Sequence, residues 1–106
     1  MLTLAANIRI FLCKDPINMR NSFEGLGTIV EQLFPGELLS GAIFVFLNRS
    51  RTCIKALFWD RDGFAIWYNR LEKGSFTSLQ KHHLDRREFL MLLEGIEPKK
   101  VRSKNF

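Results

Sequence analysis

The chain has 106 residues, 46% of them hydrophobic and 25% charged, so it has room for one hydrophobic core rather than two, and disorder is not expected. Lys and Arg outnumber Asp and Glu by 16 to 11, and the net charge of +5 favours contact with polyanions, although basic residues on a solvated surface would give the same balance. No stretch approaches the roughly 18 apolar residues of a membrane span, and the amino terminus shows no signal-peptide pattern.

These features predict a single cytoplasmic domain over residues 1–106, without membrane contact. We expect an ordered core at about residues 7–97 and a basic carboxyl-terminal tail at residues 98–106. Cys13 and Cys53 are expected to be reduced thiols, because a zinc site needs about four convergent ligands, usually in close pairs.

The first elements along the chain are a strand and a helix. Residues 7–13 are rich in β-formers and predict a short strand. A helix follows the turn at residues 14–18; its N-cap is Asn18 or Asn21, and it ends at residues 35–36, Pro-Gly. Four apolar residues repeat along it at helical spacing: Phe23, Leu26, Val30 and Leu33.

Three apolar runs come next, at residues 42–47, 53–59 and 64–70, and each predicts a strand. The Asp62-Gly63 pair between the last two runs is typical of a hairpin turn. Together with the first strand, these runs predict an α+β fold, with a small, mainly antiparallel sheet of about four strands. Two helices are expected to pack on this sheet and to cover one of its faces.

The first predicted helix contains residues that disfavour a helix, whereas the second begins with residues that favour one. Gly25 and Gly27 lie inside the first helix, where each costs about 1 kcal/mol relative to alanine. They indicate a close backbone approach to the sheet or to a partner, and packing on the sheet is the favoured interpretation. The second helix has a strong start, because Asp85 and Glu88 have capping-box spacing.

The sequence offers little for catalysis. It has no nucleotide-binding glycine motif and no nucleophile elbow. Asp60 and Asp62 could hold a divalent ion, but both sit in one tight turn, where Asp is expected for its turn geometry. His82 and His83 have no carboxylate nearby in the sequence to orient either ring, which favours a solvated connector. We therefore predict no enzymatic activity, no metal, no cofactor and no small-molecule substrate.

Basic and aromatic residues mark the region from the second strand onward as a candidate contact surface. The candidate DNA contacts are Arg49, Arg51, Lys55, Arg61, Arg70 and Lys73. The candidate protein-interface residues are Trp59, Trp67 and Tyr68. Strand alternation places Lys55 and Trp59 on one face, which fits either a surface for phosphates and bases or a core in which Trp59 packs under the second helix while Lys55 reaches past it to solvent.

Five segments of the chain resemble one protein family. They are MRNSFEGL at 19–26, FVF at 44–46, IKALFWDRDGF at 54–64, RLEKGSF at 70–76 and MLLEGI at 91–96. In this order they resemble the short accessory protein, often called TnpB, that is encoded beside the main transposase in a class of bacterial insertion sequences. This family is unrelated to the RNA-guided nuclease of the same name.

The resemblance covers about residues 7–97 and implies a role in DNA transposition. The expected partners are the transposase and the other accessory protein of the same element, with DNA possible. Three positions depart from the family pattern by lacking a basic residue that is common there: Cys53, Asn69 and Ser75. The resemblance leaves two functions open, a DNA-binding accessory factor and a protein-interaction module that docks on the transposase without touching DNA.

Overall fold

A computed structural model describes residues 7–76 and 82–93 of the chain. The elements in these residues are, in order, β1 (Ile10–Leu12), α1 (Phe23–Leu33), β2 (Ile43–Leu47), β3 (Cys53–Asp60), β4 (Gly63–Arg70), β5 (His83–Leu84) and α2 (Arg86–Leu93). The predicted α+β class is confirmed. Neither helix of the described part is long and apolar enough to cross a membrane. The predicted basic tail lies outside the described residues.

The strands form one sheet in the order β4-β3-β2-β1-β5. β1 and β2 are parallel, with α1 as their crossover, and all other neighbouring pairs are antiparallel. The sheet has five strands rather than about four because the two-residue β5 pairs with β1, where Ile10 faces Leu84 and Phe11 faces His83. A strand of two residues is too short to show an alternating pattern in the sequence.

The sheet is covered on both faces, so the expectation that the helices share one face is wrong. On one face Leu26 and Val30 of α1 enter a buried cluster, and on the other face Phe89 and Leu92 of α2 enter a second one. All five residues of β2 are buried, and alternate side chains point into opposite clusters. Because both alternating sets are apolar, each face needs a helix of its own.

The two helices begin differently. Ser22 is the N-cap of α1 and makes no side-chain capping bond, so the prediction of Asn18 or Asn21 as the cap is wrong. These two asparagines instead form a turn before the helix, in which the Asn21 side-chain amide donates to the Asn18 carbonyl at 3.0 Å. The capping box of α2 is confirmed: the Glu88 N–H donates to Asp85 Oδ1 at 2.7 Å, and the Asp85 N–H donates to Glu88 Oε1 at 3.0 Å.

Candidate nucleic-acid interface

The β3–β4 hairpin separates the predicted DNA contacts into two groups. Its strands pair without interruption from Cys53 and Arg70 at one end to Asp60 and Gly63 at the other. Eight residues of strand extend over roughly 24 Å at about 3.4 Å per residue. Arg61, in the turn of the hairpin, therefore lies far from Arg70, and the six predicted contacts do not form one cluster.

Four of those residues meet at the open end of the hairpin. Arg49 and Arg51 lie in the loop between β2 and β3, and Arg70 pairs with the first residue of β3. The chain after β4 stays beside that loop, because the Leu71 N–H donates to the Thr52 carbonyl at 2.8 Å. Lys73, which is exposed, follows in the same segment.

Arg51 holds this arrangement together. Its backbone has a left-handed φ of 57°, which turns the loop back toward β3. Its carbonyl accepts the Phe76 N–H at 2.6 Å, and its Nε donates to the Phe76 carbonyl at 2.9 Å. Since Phe76 is buried in the core, these two bonds fix the segment that carries Lys73 against the β2–β3 loop.

Two further basic residues join this end of the sheet, and sequence reasoning missed both. The loop before α1 runs over the end of β2, because the Cys13 N–H donates to the Val45 carbonyl at 2.9 Å and the Ile17 N–H to the Leu47 carbonyl at 3.0 Å. This loop carries an exposed Lys14 and an exposed Arg20. Both are distant from residue 49 in sequence, and only the parallel pairing of β1 with β2 brings them to this end.

We call the resulting surface the basic edge. It consists of Lys14, Arg20, Arg49, Arg51, Arg70 and Lys73. The acidic residues in the same three loop segments are Asp15 and Glu72. An excess of positive charge on one end of a sheet is the electrostatic pattern that attracts phosphates, and arginine can bind two phosphate oxygens at once.

Lys55 lies next to the basic edge, but its charge is used within the protein. Its Nζ donates to the carbonyl oxygens of Met19 and Asn21, both at 2.7 Å, and lies 5.7 Å from the centre of the Tyr68 ring. The ammonium therefore ties the loop before α1 to the sheet. Its assignment as a DNA contact stays a prediction, in which a phosphate would compete with two carbonyl oxygens for the same group.

The predicted aromatic interface residues are divided between the two faces of the sheet. Trp59 and Tyr68 point to the α1 face, since their strand neighbours there belong to the α1 cluster, whereas Trp67 packs against the α2 cluster. The alternative that Trp59 packs under the second helix is therefore wrong. Its ring meets Phe64 edge-on at 5.0 Å between centroids. Tyr68 is 48% exposed, and its hydroxyl donates to Cys53 Sγ at 3.4 Å, which raises the pKa of Tyr68 above its ordinary value.

The remaining candidates for chemistry lie in a turn or are buried. Asp60 and Asp62 flank Arg61, whose left-handed φ of 60° forms the hairpin turn, and the Asp62 N–H donates to the Asp60 carbonyl at 2.6 Å. Cys13 and Cys53 are free and buried, and burial raises the pKa of the Cys13 thiol. Across residues 7–76 and 82–93, no three His, Cys, Asp or Glu side chains are grouped so that they could hold a metal ion.

Comparison with known proteins gives two kinds of match. A family model described as IS66 Orf2 like protein matches residues 8–103. Two uncharacterized proteins of Sinorhizobium fredii (strain NBRC 101917 / NGR234) are similar in sequence. The protein y4hO is 30% identical over 73% of this chain and 67% of its own length, and y4jC is 26% identical over 98% of this chain and 92% of its own. No solved structure matches the chain significantly.

Proposed function

Because this chain belongs to the IS66 Orf2-like family, we propose that it is a non-catalytic accessory factor in DNA transposition that assists a separate transposase by holding DNA at the basic edge. The family supports the accessory role and the association with a transposase. The observation that carries the DNA contact is the convergence of basic residues from three loop segments on one end of the sheet.

The contact that this surface supports is one with the phosphate backbone. Its residues lie on loops and at a strand end rather than along a helix or a two-stranded ribbon of the kind that reads bases in the major groove. Arg and Lys on loops bind phosphates and position a protein without specifying sequence. We therefore expect binding that depends strongly on salt and weakly on DNA sequence.

The test is the salt dependence of duplex binding, measured by fluorescence anisotropy with DNA from an end of the element. If about five phosphates are neutralised, log K should fall with log salt at a slope of about −4 to −5. The variant Arg49→Ala/Arg70→Ala/Lys73→Ala should bring that slope closer to zero by about 3 units. A flat salt dependence of the native protein would exclude phosphate contact as its function.

A matched pair of single variants tests whether the basic edge is the surface used. Arg70→Ala and Arg61→Ala remove the same charge from opposite ends of one hairpin. We expect Arg70→Ala to reduce the steepness of the slope by about 1 unit and Arg61→Ala to leave it unchanged. Equal effects of the two variants would count against the basic edge and in favour of a general attraction to the whole protein.

The second candidate is a protein-interaction module that docks on the transposase without DNA contact. The exposed ring of Tyr68, beside the ammonium of Lys55, favours it, since aromatic residues next to cations are frequent interface anchors. Co-purification with the transposase after nuclease digestion would support docking. If Tyr68→Ala, in a folded protein, leaves this association unchanged, the aromatic surface is not what docks.

A further inference from the structure

A groove lies between α1 and the edge strand β4, on the α1 face of the sheet. Its volume is about 610 Å³. The α1 wall includes Phe23 and Gly27, and Leu38 and Phe64 contribute apolar side chains across from it. Phe23 is 43% exposed although it is a large apolar residue at the first position of α1.

The groove exists because α1 alone is too narrow to cover its whole face of the five-stranded sheet. Five strands spaced about 4.8 Å apart form a face roughly 19 Å wide, and packed helices lie about 8–10 Å apart. The buried residues of α1 pack on the central strands, against Phe44 and Leu57 among others. On the same face, Ile66 of β4 is only half-buried and Tyr68 is exposed, so α1 does not fully cover β4.

Gly27 makes the α1 wall shallow at the middle of the groove. A Cβ placed on Gly27 would lie 3.6 Å from Leu38 Cδ2, which is ordinary van der Waals contact. A methyl group would therefore fit, and the absence of a larger side chain leaves space for an incoming residue. Small residues allow helices to approach one another closely.

The charged residues that line the groove are both acidic. Glu24 and Glu31 lie seven residues apart on α1, about 10 Å along the helix. A chain with a net charge of +5 thus presents a groove with a negative rim. An apolar groove with two carboxylates along one side complements an apolar segment that carries Lys or Arg at its margin.

We propose that this groove binds an amphipathic α-helix with basic flanks, supplied by a partner polypeptide. Apolar side chains of the partner enter between Gly27, Leu38 and Phe64, and its Lys or Arg residues pair with Glu24 and Glu31. This is the helix-in-groove mode of recognition, with anchors spaced by three or four residues. The groove shares no residue with the basic edge, so the inference does not depend on DNA binding.

The experiment measures binding of a fluorescent model peptide to the full chain without DNA. The probe is an amphipathic helix of about 18 residues, with a leucine stripe and lysine flanks, and the comparison peptide has glutamate in place of every lysine. We expect the lysine peptide to bind at least about tenfold more tightly than the glutamate peptide. Equal binding of the two peptides would overturn the proposed charge complementarity.

Two sets of variants locate the binding site. Gly27→Phe fills the groove and should weaken binding of the lysine peptide at least about tenfold, whereas Gly27→Ala should bind as the native chain does. Glu24→Lys/Glu31→Lys should also weaken it about tenfold. Its matched control, Asp15→Lys/Glu72→Lys, changes the net charge equally outside the groove and should retain most of the affinity. Circular dichroism checks that each variant is folded.

Three further outcomes would overturn the proposal. One is unchanged binding by Gly27→Phe. Another is an equal loss with the two charge-reversed variants, which would indicate attraction by net charge. The third is a native chain that sediments as a dimer while Gly27→Phe sediments as a monomer, because the groove would then bind a second copy of this chain. Should Gly27→Phe fail to fold, the comparison of the two charge-reversed variants still decides.

Discussion

Lys55 shows how one side chain can match a functional pattern and serve a structural need. It occupies a half-buried position in β3, where alternation with apolar neighbours indicated a mixed contact surface. The structure gives its ammonium two carbonyl acceptors in the loop before α1. Those acceptors lie more than thirty residues away in sequence, so no local pattern could have identified them.

We predict that Lys55→Met destabilises the protein by about 1–3 kcal/mol, because two partly buried carbonyl oxygens lose a charged donor. The free energy of unfolding in urea measures this change. Lys73→Met is the control, since Lys73 is exposed in a loop, and it should change the stability by less than about 0.5 kcal/mol. Equal stability of the two variants would show that the Lys55 hydrogen bonds contribute little.

The ion pair between Arg9 and Glu37 gives an expectation for acid stability. Arg9 Nη2 lies 2.7 Å from Glu37 Oε1, and the guanidinium beside this carboxylate lowers the pKa of Glu37 below its ordinary value of 4.5. A carboxyl group whose pKa is lower in the folded state than in the unfolded state stabilises the fold at pH values above its unfolded-state pKa. That contribution is lost as the pH falls through the folded-state pKa.

Arg9→Gln should therefore make the free energy of unfolding less dependent on pH below about 4.5, while lowering stability at neutral pH. Urea unfolding at a series of pH values from 2 to 7, for the native chain and the variant, measures the effect. Arg20→Gln removes an exposed charge elsewhere and should keep the native pH dependence. An acid limb that is the same in Arg9→Gln and the native chain would contradict this account.

At the scale of elements, α1 corrects the interpretation of its two glycines. They were expected to allow close packing on the sheet. A Cβ on Gly25 would instead overlap the Asn21 side-chain oxygen, in the turn that precedes the helix. Gly27 lines the groove beside Leu38. The prediction that both glycines pack on the sheet is wrong: the close approach occurs only at Gly25 and is made by the preceding turn, whereas Gly27 has an ordinary van der Waals neighbour.

The two glycines should respond differently to alanine. Gly27→Ala should stabilise the protein by up to about 1 kcal/mol through helix propensity. The gain in stability from Gly25→Ala should be smaller than that from Gly27→Ala by about 0.5–1.5 kcal/mol. The reason is that the Asn21 side chain must move and lose its bond to the Asn18 carbonyl. Thermal unfolding compares them. In an Asn21→Ala background the two gains should be equal, and a remaining difference would point to another cause.

At the scale of the whole molecule, the features that were predicted correctly are those that depend on residues close together in the sequence. The long strands β3 and β4, their hairpin and the capping box of α2 follow from patterns a few residues long. The division of the helices between two faces did not follow, although the unbroken apolar run of β2 was consistent with a strand buried on both sides. Only four of the six residues of the basic edge were predicted from the sequence, because Lys14 and Arg20 reach it through tertiary contacts.

The position of β1 has a consequence for the order in which the chain folds. β2, β3 and β4 form a meander of sequence neighbours, whereas β1 lies between β2 and β5, and Ile10 finds its partner Leu84 more than seventy residues later. Closing such a long loop costs more entropy than forming a hairpin, so we expect the meander to form early. Pulse-labelled hydrogen exchange should then protect β3 and β4 before β1, and simultaneous protection would contradict this order. Although β1 precedes the other described strands along the chain, it would be among the last to be locked in place.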